Sequence, residues 1–321
     1  MIIPRSHATA FARLAYETAY LKAHHPAPFY CARLNAQPGG FYHPAVIVGD
    51  ARRHGIEILR PDLTASGHDC ALERFVGATD RGAVDRLAVR LGLRYVRGLA
   101  DVTGRALVAE RARGGAFRDL ADLCRRGRTF LTPEAVAALI VVGACDGWGV
   151  PRRQLLWALP VAWRSATGLP LPVAAVALPA ETPAERAGSE SWATGLPLTA
   201  HPVATQRAVL ARAAVLPIAA LAAIPEGVTV TVAGLAIVAQ SPPTAHGVLF
   251  LSLEDETGLA NAILAPEVAR AQRATLFAGP ILLAIGRVQR RGATTNLLVQ
   301  AIAPWAATGG AAPGDDAVQS A

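Results

Sequence analysis

The residues best suited to bind a ligand lie near the C-terminal end of the chain, and most of them carry a positive charge or an amide. Around one predicted hairpin turn these residues are Arg287, Gln289, Arg290 and Arg291. A predicted loop at the opposite end of the same segment contains Gln240 and His246. Guanidinium and amide groups bind phosphate oxygens, whereas aromatic platforms for bases are scarce here. We therefore expect contacts to a nucleic-acid backbone; a spacer or a protein-docking surface is the alternative.

Two short turns that contain glycine form a second candidate site. Gly98 precedes a predicted helix at 101–113, and Gly143 begins a turn between two predicted helices at 133–142 and 151–159. In a helix-hairpin-helix motif, such a turn and the N-terminus of the next helix present backbone N–H groups that hold a phosphate. The predicted phosphate contacts are Arg97, Gly98, Leu99, Gly143 and Gly147. An ordinary helical hairpin without a ligand is the alternative.

The residue pattern does not indicate a metal site or a catalytic centre. The four cysteines are scattered, without a Cys-x-x-Cys pair, at Cys31, Cys70, Cys124 and Cys145. Zinc sites need closely spaced ligand pairs, so we expect buried free thiols instead. Enzymes of phosphoryl transfer hold Mg²⁺ with paired carboxylates. No such pair is indicated by the spacing of Asp50, Asp62, Asp69, Asp80 and Asp85. We therefore predict no metal, no cofactor and no catalytic residue in this chain.

The segment at 226–304 is predicted to be a five-stranded barrel that positions the arginine-rich hairpin. Alternating apolar residues predict strands at 228–239, 248–253, 259–264, 281–290 and 295–303, with a helix at 266–277. Three strands, a helix and two further strands is the order of the OB-fold, which binds single-stranded nucleic acid. Phe250 is the aromatic residue on these strands, and we expect it in the barrel core.

The segment before the barrel is predicted to be mainly helical. Residues 1–80 have helical periodicity with short strands, and residues 86–165 contain the two glycine turns as a tandem helix-hairpin-helix region. Residues 166–225 are expected to be a linker with connecting helices, because 179–192 are rich in Pro, Ala, Glu and Ser. Residues 305–321 are expected to be a disordered tail. The predicted fold class is therefore multidomain α+β.

Composition favours a polyanionic partner and argues against a membrane protein. The formal net charge is +7, and because Lys22 is the sole lysine, the positive charge is almost entirely arginine. A GC-rich genome would produce the same arginine excess, which leaves the two interpretations equal. The longest apolar run, at 135–145, is too short to span a bilayer, and the N-terminus does not resemble a signal peptide. We expect a cytoplasmic protein.

Several motifs occur in the order that is found in one family of polymerases. Along the chain they are Pro4-Arg-Ser-His-Ala8, Leu34-Asn-Ala-Gln-Pro38, Gly40-Phe-Tyr42, Asp50-Ala-Arg-Arg-His-Gly55, Leu91-Gly-Leu-Arg-Tyr-Val-Arg-Gly-Leu99, Arg152-Arg-Gln-Leu-Leu-Trp157, His201-Pro202 and Leu253-Glu-Asp-Glu-Thr-Gly258. The chain resembles C-family bacterial DNA polymerases from the fingers region onward, and the motifs at 34–55 are most similar to the error-prone branch. The resemblance covers nearly the whole chain.

The resemblance implies part of an error-prone DNA polymerase that acts in DNA repair and in damage-induced, translesion synthesis. In that family a palm domain with paired aspartates holds Mg²⁺. Because this chain begins within the fingers-like region, we expect it to be inactive alone. The implied partners are single-stranded template, primed duplex DNA, the sliding clamp and other polymerase subunits, but no membrane. The alternative hypothesis is a stand-alone, non-enzymatic DNA-binding or scaffolding protein of the repair machinery.

Two further sites are predicted in the helical segment. The resemblance places Arg5, Ser6 and His7 at the motif next to the incoming nucleotide, where the family usually has lysine first. A helix N-cap at Ser6 and a surface histidine are the alternative. A clamp-binding peptide is indicated by a glutamine followed by apolar residues, Gln154, Leu155, Leu156 and Trp157. The same residues fit the core of a helix, which is the interpretation we favour.

Overall fold

The computed structural model describes residues 5–40, 42–79, 82–166, 176, 178–279, 281–292 and 294–305, without the side chains of residues 5–8, 75–79, 82–85 and 277. The chain divides into two compact units, 1–199 and 200–321, and each has a hydrophobic core of its own. The tail predicted at 305–321 lies, from residue 306 onward, outside the described residues. Within the described ranges, no helix is long and apolar enough to cross a membrane.

Three helices begin the first unit: α1 (Arg5–His24), α2 (Pro26–Asn35) and α3 (Pro44–Arg53). Proline begins α2 and α3 because the first helical position needs no N–H donor. His43 caps α3, since its ring accepts from the Ala45 N–H. Tyr30 is fully buried and its hydroxyl donates to Asp50 at 2.7 Å, which joins α2 to α3.

A three-stranded sheet follows these helices. Its strands are β1 (Ile58–Leu59), β2 (Ala71–Thr79) and β3 (Gly82–Arg90), in the order β1-β3-β2. β3 pairs parallel to β1 and antiparallel to β2. Arg90 and Glu73 form a two-point ion pair across β3 and β2, with N–O distances of 2.8 and 2.7 Å. The last strand of this sheet ends eight residues before Gly98, the glycine of the first turn.

Five more helices belong to the first unit: α4 (Asp101–Gly114), α5 (Leu120–Gly127), α6 (Pro133–Val141), α7 (Arg152–Ser165) and α8 (Pro183–Thr194). α6 and α7 flank the second glycine turn, as predicted. The first glycine turn departs from the predicted tandem plan. A 3-10 turn at Leu93–Tyr95, rather than an α-helix, precedes it, because β3 extends almost to this point.

Helix α8 corrects the prediction of a linker at 179–192. Thr182 and Glu185 form a reciprocal capping box at its N-terminus, and Pro183 occupies the first helical turn. Glu190, in the middle of the helix, is completely buried. Most of the segment that composition assigns to a linker is therefore a helix, and its buried side carries a charged residue.

The second unit contains the predicted barrel. After α9 (Arg207–Arg212) and a 3-10 helix (Ile218–Ala223) its elements are β4 (Thr229–Gln240), β5 (Leu249–Glu254), β6 (Leu259–Leu264), α10 (Pro266–Ala271), β7 (Ile281–Arg291) and β8 (Thr294–Pro304). The strands close in the order β4-β5-β6-β8-β7, which confirms the five-stranded OB-fold arrangement.

Gly286 allows β7 and β8 to approach closely, because a Cβ there would lie 2.4 Å from the Leu298 carbonyl oxygen. Shorter 3-10 turns lie at Asp146–Trp148, Ala204–Gln206, Pro243–Ala245 and Thr275–Phe277.

Candidate nucleic-acid interface

The first hairpin, residues 96–102, is an open surface at the beginning of a helix. Gly98 has a φ of +83° and is exposed, and apart from its two chain neighbours no described residue has an atom within 4 Å of the position that a Cβ would occupy. The N-cap residue of α4, Ala100, gives no side-chain cap to the N–H groups of the first turn. Val102 in that turn is 74% exposed, and Arg105, which sequence analysis missed, is exposed one turn further along α4. An anion can therefore approach both the glycine backbone and uncapped N–H groups.

The other two residues predicted at the first hairpin, Arg97 and Leu99, contact the protein itself. The Arg97 backbone N–H donates to the Ala193 carbonyl oxygen at 2.7 Å, and its guanidinium donates to the Trp192 carbonyl oxygen at 3.1 Å. Leu99 is buried in the core. Gly98 is thus the member of the predicted group that faces open space.

At the second hairpin, residues 143–150, an internal ion pair covers the turn glycine. Gly143 is buried and also has a φ of +83°, but a Cβ there would lie 2.1 Å from Arg152 Nη2 and 2.8 Å from Asp146 Oδ2. Arg152 donates to both Asp146 carboxylate oxygens at 2.8 and 2.7 Å, and Arg60 donates to Oδ2 at 2.6 Å. Burial lowers the pKa of Arg152, but hydrogen bonds and charge interactions with Asp146 and a second carboxylate raise it overall. Gly147 is exposed at the end of this turn.

A row of outward-facing residues crosses the barrel. Successive register partners on β4, β5, β6, β8 and β7 are Gln240, Phe250, Ile263, Leu298 and Arg287, which we call the barrel row. Partners directly opposite in register share one face of a sheet. Phe250 is 42% exposed and Leu298 is 36% exposed, so the expectation that Phe250 lies in the core is wrong. An aromatic ring, apolar neighbours and a guanidinium are the groups that bind the bases and phosphates of a single strand.

The arginines predicted at the β7–β8 hairpin have different surroundings. Arg287 and Arg291 are exposed, and in the described part of the chain neither side chain has a hydrogen-bond or ion-pair partner. Arg290 instead donates to two backbone carbonyl oxygens within 222–224, at 2.7 and 2.8 Å. Two other residues of this unit are predicted contacts: Gln289 is half-buried and His246 is exposed.

The site predicted on α1 stays a prediction, whereas the surroundings of the stretch predicted on α7 are described. Residues 5–7 begin α1, and their side chains lie outside the described residues. Leu155 is buried in the core and Leu156 packs against it, which favours the core interpretation of the clamp-like stretch. Gln154 and Trp157 line a shallow, mostly apolar groove of about 320 Å³, and Trp157 is 58% exposed.

The described residues contain no group of three or more His, Cys, Asp or Glu side chains that could hold a metal ion. All four cysteines are buried free thiols, as expected. Burial raises the pKa of Cys70 to about 12 and that of Cys124 to about 11. Both thiols are therefore protonated and unreactive at neutral pH.

Comparison with solved structures adds little to the fold. The chain is similar to asparaginyl-tRNA synthetase from Pyrococcus horikoshii, at 20% identity and a TM-score of 0.21, over 24% of this chain and 19% of that one. It is also similar to the S. pombe Stn1-Ten1 complex, at 14% identity and a TM-score of 0.20, over 23% of this chain and 55% of that one. Similarity at this level carries no argument about function.

Comparison with protein sequences is far more specific. A family model described as helix-hairpin-helix motif matches residues 55–155. The chain is 40% identical to an error-prone DNA polymerase of Anaeromyxobacter sp. (strain K), over 94% of this chain and 27% of that protein. It is 42% identical to an error-prone DNA polymerase of Azoarcus sp. (strain BH72), over 94% of this chain and 28% of that protein. The chain thus spans about a quarter of the length of these relatives.

These matches cover both parts of the candidate interface. The helix-hairpin-helix segment includes both glycine turns, and the polymerase alignment extends through the barrel as well. Over 94% of its length, the chain is a homologue of the C-terminal portion of error-prone DNA polymerases, and it contains a helix-hairpin-helix motif.

Proposed function

We propose that the chain binds DNA in the cytoplasm as part of an error-prone DNA polymerase that serves DNA repair and damage-induced, translesion synthesis. The observation that carries this proposal is the open first hairpin within the segment that matches the helix-hairpin-helix motif. The Gly98 backbone and the uncapped N–H groups of α4 hold one phosphate, and Arg105 adds positive charge beside it. Other subunits of the damage-response polymerase are its protein partners in this proposal.

The barrel row serves a single strand in the same proposal. One base stacks on Phe250, and the neighbouring apolar side chains Ile263 and Leu298 keep water from the stacked face. Arg287 contacts the phosphates, while Gln240 lies at the far end of the row. Stacking and phosphate contacts accept every base, so the proposed ligand is template strand of any sequence.

DNA binding is tested by titrating the full chain against labelled primed duplex and single-stranded DNA at rising NaCl. Phosphate contacts release counterions, so Kd should rise about tenfold or more between roughly 50 and 200 mM NaCl. Phe250→Ala should weaken single-strand binding by about 1 to 3 kcal/mol through lost stacking. Its effect on a blunt duplex should be small. A chain that binds neither DNA, or binds both independently of salt, would refute the proposal.

Nucleotidyl transfer in this proposal depends on the remaining part of the polymerase. The aligned region is 27% of the Anaeromyxobacter relative and 28% of the Azoarcus relative. We therefore expect no primer extension above that of a mock preparation when this chain is incubated with Mg²⁺, nucleotides and primed DNA. Clear extension by the chain alone would contradict this part of the proposal and leave the DNA-binding part intact.

A further inference from the structure

The two turn glycines have the same backbone conformation and opposite surroundings. Gly98 and Gly143 both have a φ of +83°. Apart from its chain neighbours, no described residue has an atom within 4 Å of the Cβ position of Gly98, whereas atoms of Arg152 and Asp146 lie 2.1 and 2.8 Å from that of Gly143. The Cβ side of the turn glycine is therefore open at the first hairpin and covered at the second.

A guanidinium and a carboxylate together cover the second hairpin, and the Arg152 guanidinium is the nearer of the two to the Gly143 Cβ position. The Asp146 carboxylate accepts from Arg60 Nη1 at 2.6 Å, from Arg152 Nη2 at 2.7 Å and from Arg152 Nε at 2.8 Å. Short, charge-assisted hydrogen bonds from two arginines are the contacts with which proteins hold phosphates. The positive groups at this hairpin are thus already satisfied, and a DNA phosphate would have to displace the carboxylate.

The same ion-pair network continues to α8. Arg152 Nη2 also donates to Glu190 Oε1 at 2.9 Å, and these side chains are 3% and 0% exposed. The Thr199 hydroxyl donates to the other Glu190 oxygen. Breaking a buried ion pair is costly because one charge is left without a partner. The ion-pair network therefore connects the second hairpin to α8 through buried charges.

We propose that the two hairpins have different functions, with Asp146 taking the place of a DNA phosphate at the second one. The first hairpin receives the DNA phosphate, and the second holds α8. This inference rests on the proposed DNA binding and assigns that binding to one of two similar turns. The helix-hairpin-helix region accordingly supplies one phosphate contact through its glycine turns rather than two.

Two identical substitutions in the full chain, Val102→Glu and Val150→Glu, test the inference. Val102 lies in the first turn of α4 and Val150 just precedes α7, with exposures of 74% and 39%. Each variant adds one negative charge beside one hairpin. Val102→Glu should raise Kd for primed duplex about tenfold and reduce the slope of log Kd against log [NaCl] by about 0.9. Val150→Glu should leave Kd within about twofold of the wild-type value.

Thermal melting first establishes that both variants are folded. A loss of binding in Val150→Glu as large as that in Val102→Glu would overturn the inference, because the second hairpin would then contact DNA. An unchanged Kd in Val102→Glu would overturn it as well. A wild-type chain that binds no primed duplex would instead refute the proposed function, so the two failures are distinguishable.

A third variant keeps the test decisive if Val150→Glu disturbs folding. Asp146→Asn removes one negative charge beside the second hairpin, while Arg152 keeps its ion pair with Glu190. Binding of primed duplex at low salt should tighten about threefold, with a steeper salt dependence. Equal or weaker binding by folded Asp146→Asn would contradict the assignment of Asp146 as the phosphate substitute.

Discussion

Arg287 and Arg290 lie on the same strand, but their guanidinium groups have different roles in the barrel. Arg287 belongs to the barrel row and has no partner among the residues that the structure describes. Arg290 donates to the carbonyl oxygens of Ala222 and Ile224 and so attaches the segment that enters β4. Proximity in sequence therefore groups an exposed arginine that has no partner among the described residues with one that holds the protein's own backbone.

Alanine substitutions at these two positions should separate DNA binding from stability. Arg287→Ala should reduce the salt slope of single-strand binding by about 0.7, the value for one phosphate contact. It should leave the free energy of unfolding unchanged. Arg290→Ala should lower the free energy of unfolding by about 1 kcal/mol through its lost hydrogen bonds. Fluorescence anisotropy measures binding and urea unfolding measures stability. An unchanged salt slope in Arg287→Ala would show that Arg287 does not contact DNA.

Asp50 makes the stability of the first unit depend on pH. Its carboxylate accepts from the Tyr30 hydroxyl at 2.7 Å and lies 2.8 Å from Lys22 Nζ. Burial alone raises the pKa of Asp50, but the hydrogen bonds from Lys22 and Tyr30, with the charges of Lys22 and His54, lower it overall. The folded pKa is thus below the unfolded value of about 3.9. The stabilisation is complete above that value and is lost as the pH falls through the folded pKa.

Asp50→Asn should remove this acid dependence. At pH 7 the variant should have a free energy of unfolding about 1 kcal/mol lower than the wild type, because a charged hydrogen-bond acceptor is lost. Between pH 7 and about pH 3 its stability should then decline less than that of the wild type. Urea unfolding at both pH values measures the difference. An equal decline in both proteins would show that Asp50 does not carry the effect.

The barrel strands are predictable because their signals are local. Alternating apolar residues, with proline and glycine between them, identify each strand and the helix before β7. The direction of the Phe250 side chain is not a local property. Residues 249–251 are all apolar, so periodicity assigns neither face, and the closed barrel places Leu251 and Leu253 inside with Phe250 outside. The barrel row therefore becomes visible only when the strand register is known.

The packing of α8 against the rest of the first unit cannot be predicted from the sequence for a related reason. Its buried anchor is Glu190, whose partner Arg152 lies in another helix, 38 residues earlier. No stretch of sequence around α8 contains that partner, so local composition predicts a linker. The same distance effect conceals the carboxylate over Gly143, because the Arg60 that helps to hold it comes from beside β1. A glycine turn can be predicted from the sequence, but the side chains that cover it cannot.

Glu190→Gln should destabilise the first unit strongly. The substitution leaves the buried Arg152 with one charged partner instead of two, and loss of a buried ion-pair partner costs about 3 kcal/mol. Glu185→Gln is the matched control, since Glu185 pairs with Arg153 at the surface of the same helix and should change stability little. Chemical unfolding measures both variants. Equally small changes would show that the network contributes no more than a surface pair.

On the scale of the whole molecule, the hydrophobic cores follow the division into two units. The core cluster of the first unit draws its buried residues from positions 27–198. The two clusters of the second unit draw theirs from positions 203–302. The proposed duplex contact lies in the first unit, and the barrel row lies in the second. Separate cores predict that each unit keeps its structure without the other.

Division of the chain between Thr199 and Ala200 should therefore give two folded proteins. The isolated piece 200–321 should unfold in one cooperative transition and bind single-stranded DNA, and calorimetry of the full chain should resolve that transition beside a second one. Phe250→Ala in the isolated piece is the control, because it should weaken binding without shifting the transition. If the piece is unfolded and the full chain shows one transition, each core depends on the other, which would contradict two independently folding units.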